Sequence, residues 1–177
     1  KFVTVGNTGK ADAYVRTLIA FEVGSAVIED EVNFPNQPLV FFEMRATTAA
    51  DNTNGKQPWT FGFVDYVTIN GNKYMVYELI YTGAMTSNGW VHENGVLPAG
   101  QTTYPSLCQV YMASRATNED VLALDGNKNG KYDILVLSQA VQAAGFKNAQ
   151  LALDTAFGAV TKATVEQGFT GMEQPVL

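Results

Sequence analysis

Cysteine is almost missing from this sequence. Of 177 residues, one is cysteine, one is histidine, and only 16% carry charge. A lone thiol, Cys108, excludes an internal disulfide framework and any metal site built from several cysteines. Set in the apolar stretch Leu107-Cys108-Gln109-Val110-Tyr111-Met112, it reads as a buried structural thiol rather than a nucleophile. The lone histidine, His92, falls short of the three protein ligands that catalytic zinc generally needs. Glu93-Asn94-Gly95-Val96 after it does not complete a His-Glu-x-x-His motif, so His92 reads as a solvent-facing residue at a strand end. No Gly-x-Ser-x-Gly elbow announces a serine hydrolase, and no glycine-rich loop cradles a phosphate. No apolar run reaches the length of about 18 residues that spans a bilayer. Basic residues are few and unclustered, 11 against 17 acidic, for a net charge of −6, which excludes a phosphate-backbone footprint. Acidic pairs for glycoside-type chemistry exist on paper, among Asp12, Glu22, Glu29, Asp30, Glu31, Glu43, Asp65 and Glu78, but no spacing selects two of them. The chain is not expected to be an enzyme.

What is present is apolar and β-prone. With 46% apolar residues, a chain of this length is one domain able to bury about 70% of its unfolded surface without crosslinks. Phe2 to Val5 is a short strand closed by Gly6-Asn7-Thr8-Gly9. Ala13 to Val23 alternates, with Val15, Ile19, Phe21 and Val23 on one face and Arg16 and Glu22 on the other. Leu39 to Arg45 follows two prolines as a further strand, and Ala46 to Pro58 reads as a long polar surface loop. Asn70-Gly71 between two β-rich runs, Gly62 to Ile69 and Lys73 to Tyr81, predicts a hairpin because both residues accept positive φ. Short strands are expected at Trp90 to Glu93 and Thr102 to Met112. After residue 116 the period changes. Thr117-Asn118-Glu119-Asp120 is a capping-box pattern. Asp133 to Ala144 reads as an apolar helix stopped by Gly145, and Asn148 caps a second helix ending at Gly158. The expected fold is therefore mainly β: a jelly-roll-like antiparallel β-sandwich over residues 1–116 and 159–177, with a helical segment over 117–158 as an appendage or insertion.

Two clusters invite a ligand. In Asp125-Gly126-Asn127-Lys128-Asn129-Gly130-Lys131-Tyr132-Asp133, oxygen side chains at the first, third and fifth places with Gly at the sixth match the start of a calcium loop. Asp125, Asn127, Asn129 and Asp133 would be the ligands. The twelfth place, where a bidentate acid belongs, holds Val136, and a Gly/Asn turn explains the same residues. No other metal or cofactor is expected. The aromatics Trp59, Phe61, Tyr74, Tyr77, Tyr81 and Trp90 offer a sugar-stacking platform, or else core and cross-strand pairs.

The segment Asn7-Thr8-Gly9 followed by Ala13-Tyr14-Val15-Arg16 resembles the start of the TasA and camelysin-like secreted proteins of Gram-positive bacteria, whose signal peptides depend on SipW. Asn94-Gly95-Val96-Leu97-Pro98-Ala99-Gly100-Gln101-Thr102-Thr103 is similar to that family's Leu-x-Pro-Gly-Glu-Thr-Thr turn, with Ala99 intervening and Gln for Glu. The likeness covers roughly residues 2–24 and 59–112; the segment 117–158 lies outside it. It implies a jelly-roll-like sandwich, exported by a signal peptide that this chain does not carry and placed outside the cell or on its surface. There it would act as a subunit of a matrix fibre or surface layer. In fibre-forming members a strand of one subunit completes the sheet of the next. The candidate donor residues here are Phe2, Val3, Thr4 and Val5, or an arm upstream of Lys1, and the partners would be other copies of the chain and matrix polysaccharide or cell wall. The alternatives are a surface adhesin or carbohydrate-binding module using the aromatics and the 46–58 loop, and a camelysin-like metallopeptidase, for which the zinc ligands are missing.

Overall fold

The computed structural model describes residues 2–24, 39–43, 58–86 and 89–170. The fold is mainly β, as expected. At its centre lies a four-stranded antiparallel sheet of order β3-β4-β1-β8, built from β1 (Ala13–Glu22), β3 (Trp59–Ile69), β4 (Asn72–Tyr81) and β8 (Ile134–Gln142). Strand β2 (Val40–Glu43) pairs with β7 (Gln109–Met112), and β5 (Ala84–Thr86) pairs with β6 (Gly89–Val91). The β3–β4 turn carries the predicted hairpin signature: Asn70 and Gly71 have φ of 50° and 85°, and Ile69 faces Asn72.

Strand β1 is the spine. It pairs with β4 on one side and β8 on the other, and all ten of its residues are buried. Its odd positions, Val15, Ile19 and Phe21, join Leu39, Val40, Trp59, Leu79, Leu97, Leu107 and Leu124 in the larger core, under the β2–β7 pair. Its even positions face helices. Leu18 and Ala20 meet Val165 and Phe169 of α3 (Lys162–Thr170), while Tyr14 meets Ala152 and Leu153 of α2 (Ala149–Phe157). Helical and sheet layers thus cover opposite faces of the central sheet. Both predicted caps form: Thr117 and Asp120 make the capping box of α1 (Asn118–Leu124), and the Asn148 side chain accepts from the Leu151 N–H to start α2.

Three expectations change. The apolar segment from Asp133 to Ala144 is not a helix; Ile134–Gln142 is a strand paired with β1 over nine positions. A short unbroken apolar run has no period that separates a buried helix from a sheet strand, and the free side of β1 decides in favour of the ladder. Residues 162–170 are helical rather than part of the sandwich. Arg16 and Glu22 lie on the face opposite Val15, Ile19 and Phe21, as expected, and that face too is buried. Cys108 is half-buried. The 46–57 loop, Pro35, Pro38 and the residues after Thr170 lie outside the described residues.

Candidate assembly site at the amino-terminal strand

Residues 2–7 lie as an extended ribbon along residues 100–107 of the same chain. The Val3 N–H donates to the Leu107 carbonyl (2.9 Å) and the Val3 carbonyl accepts from Ser106 (2.8 Å). Val5 donates to the Thr103 hydroxyl (3.0 Å) and accepts from the Thr103 N–H (2.9 Å); Asn7 donates to Gln101 and accepts from Gly100, both at 2.8 Å. Every alternate residue is therefore bonded inward. The side chains follow the same period. Val3 and Val5 pack on the main core, whereas Phe2, 70% exposed, and Thr4 face solvent. Of the four residues singled out as strand donors, two valines fill the groove and all four run along it, but in their own chain.

The two turns noted in the sequence are what close this groove. Asn7 donates through Nδ2 to the Ala11 and Leu97 carbonyls, and its Oδ1 accepts from the Gly9 N–H. Asp12 accepts from the Ala99 N–H, and Leu97 exchanges two backbone bonds with Ala13. Residues 8–12 between the ribbon and β1 are all exposed. The Asn side chain thus locks the turn on which the ribbon leaves the body; only its turn chemistry, not its contact with Leu97, was visible beforehand.

The loop 125–133 does bring its four oxygen-bearing residues together. Asp125 accepts the N–H groups of Asn129 (3.0 Å) and Gly130 (2.8 Å). Asn127 and Asn129 donate to Asp133 Oδ2 at 2.8 and 2.9 Å. Behind them Glu22, with no exposed surface, accepts from Gly126, Asn127 and Asp133. Burial raises the Glu22 pKa, partly offset by those three N–H bonds. Val136 sits in β8 against the main core, so the twelfth place supplies no oxygen. Among the described residues no group of three or more His, Cys, Asp or Glu side chains is placed to hold a metal.

The described aromatics do not form a platform. Trp59, Tyr74 and Tyr81 are buried; Trp59 donates to the Tyr104 carbonyl and stands edge-on to Tyr81 at 4.9 Å. Tyr77 is half-buried between Phe21 and Phe63, Phe61 is well exposed, and the Trp90 side chain lies outside the described residues. Burial pushes the Tyr74 and Tyr81 hydroxyls up to about 12. His92 is held in left-handed backbone, φ 55°, with Nδ1 2.7 Å from the Tyr81 hydroxyl, and burial lowers its pKa. Beside it a cleft of about 630 Å³ is lined by Thr60, Thr82, Glu93, Asn94, Lys147 and Gln150 among others. No helix among the described residues is long and apolar enough to cross a membrane. Comparison with family models, with curated proteins and with solved structures returns no match for this chain.

Proposed function

We propose that the protein is a secreted structural subunit of an extracellular matrix fibre or surface layer, and that subunits join by exchanging the ribbon of residues 2–7. One observation carries the reading. The ribbon is attached along one edge by backbone bonds, by the Asn7 side chain and by two valines, and it reaches the body through an exposed five-residue turn. A neighbour's ribbon finds the same bonds and the same two pockets, so exchange changes little in enthalpy and depends on the turn straightening. A head-to-tail exchange of this kind does not close and so produces filaments. The resemblance around Asn7-Thr8-Gly9 and the low surface charge point the same way.

Electron microscopy of concentrated protein, with and without residues 1–7, tests it. Filaments that vanish on truncation and return when the intact chain is restored support the proposal. An intact chain that stays monomeric at high concentration, indistinguishable from the truncated one, overturns it. The cleft beside His92, with its amide, carboxylate and ammonium side chains, favours a carbohydrate-binding module as the second reading. Glycan-array binding that is lost in Asn94→Ala and Gln150→Ala would select it.

A further inference from the structure

The central sheet has two outer strands, and only one is guarded. On β3 a bulge falls between Phe63 and Asp65, the Tyr66 N–H is taken by Asp65 Oδ1 (2.7 Å), and the Thr68 N–H by Glu166 Oε1 (3.1 Å). A bulge, a charge and side-chain acceptors are the usual devices that stop an edge from pairing. Strand β8 has none of them. Ile134-Leu135-Val136-Leu137-Ser138-Gln139-Ala140-Val141-Gln142 is nine residues without charge, glycine or proline, in unbroken register with β1.

Which of its peptide groups face outward follows from the ladder. Glu22 donates to the Asp133 carbonyl and Ala143 to the Asp12 carbonyl, so odd residues of the β8 segment bond to β1. In an antiparallel ladder bonded and non-bonded pairs alternate. Residues 134, 136, 138, 140 and 142 therefore turn N–H and C=O away from the sheet, and these groups have no partner among the described residues. Three of them, Ser138, Ala140 and Gln142, are also exposed in their side chains.

We propose that this edge binds the same edge of a second copy, joining two central sheets into one antiparallel sheet of eight strands. The occupant is fixed by self-complementarity. With the two-fold axis at Ser138, Val136 faces Ala140 of the other copy and Ile134 faces Gln142, so all five outward residues enter bonded pairs. On the helical side Leu135 meets Val141 and Leu137 meets Gln139. No charge opposes its like across this contact, in a protein of net charge −6. The contact is isologous and closes on itself, so it ties subunits or fibres side by side. It goes beyond the proposed ribbon exchange and does not depend on it, because it involves other atoms.

Amide hydrogen exchange of the full chain across a concentration series, together with sedimentation, tests it. Amides of Val136, Ser138 and Ala140 should slow as the dimer forms, while those of Leu137 and Gln139, bonded to β1, stay slow throughout. Ala140→Pro removes only an outward donor, which an edge strand tolerates. It should weaken association at least about tenfold through the two lost bonds, with melting unchanged. Fast exchange at the outward amides at every concentration overturns the proposal. So does protection already complete in the monomer, which would mean that another segment of the chain or a foreign peptide covers the edge. If Ala140→Pro fails to fold, the wild-type exchange pattern alone decides.

Discussion

Arg16 carries more of the fold than its place in the sequence suggests. Its guanidinium, 2% exposed, donates to Gln139 (2.6 Å), Glu78 (3.3 Å), Asp154 (2.9 Å) and the Gly158 carbonyl (2.9 Å), and lies 6.0 Å from the Phe157 ring. One side chain thereby ties β1 to β4, β8 and the end of α2. Arg16→Ala leaves the half-buried Glu78 and Asp154 carboxylates without their cation and should lower stability by about 3 kcal/mol, read by urea denaturation. Glu22 makes the complementary prediction. Burial raises the folded-state pKa of Glu22, and of Glu78 despite its arginine, above the ordinary 4.5. The protonated form is thus the one the fold favours. Its contribution is complete below pH 4.5 and is lost as pH rises through the raised value. Glu22→Gln presents an amide where a carboxylate oxygen accepted, and should cost about 1–3 kcal/mol. That penalty should be largest at low pH and narrow toward neutrality, as thermal melts across the range would show. Neither residue could be placed from sequence. Their partners lie 62 to 142 positions away, and local alternation, which put both on the face opposite Val15 and Ile19, says nothing of what covers that face.

Elements with local chemistry were legible; those set by their neighbours were not. Asn70-Gly71, the Thr117 capping box and the Asn148 cap each form where the residues said they would, because turn and cap energies depend on a handful of adjacent atoms. Asn148→Ala should cost about 1 kcal/mol, measurable as a lowered denaturation midpoint. Strand β8 shows the opposite case: Ile134, Val136 and Val141 favour strands, Leu135, Leu137 and Ala140 favour helices, and the deciding term is the open side of β1. Gly24 marks where β1 must stop. Its φ is +48°, and a Cβ there would strike the Ala123 carbonyl oxygen at the end of α1. Gly24→Ala should cost about 3 kcal/mol through strain and overlap; a melting temperature within a degree or two of wild type would contradict that contact.

At the scale of the molecule, the central sheet is covered by strands on one face and helices on the other, and two features lie at its margins: a ribbon bonded along one edge and an outer strand without charge. The two turns, 6–9 and 97–103, were the part of the candidate site visible in the sequence, since Asn-x-Gly and Pro-Ala-Gly signals announce turns. Their contact with each other was not, because nothing local links positions about ninety residues apart. That contact also supplies the most direct test of strand exchange. Gly6 and Thr102 face each other as an isolated bridge, both exposed, with an added Cβ on Gly6 3.6 Å from the Thr102 hydroxyl. Gly6→Cys with Thr102→Cys, in a Cys108→Ser background, can therefore form a disulfide without disturbing the core. Oxidised after concentration and run on a non-reducing denaturing gel, it should give a ladder of covalent multimers. A single monomer band, fully crosslinked, would mean that the ribbon stays in its own chain and would contradict the account.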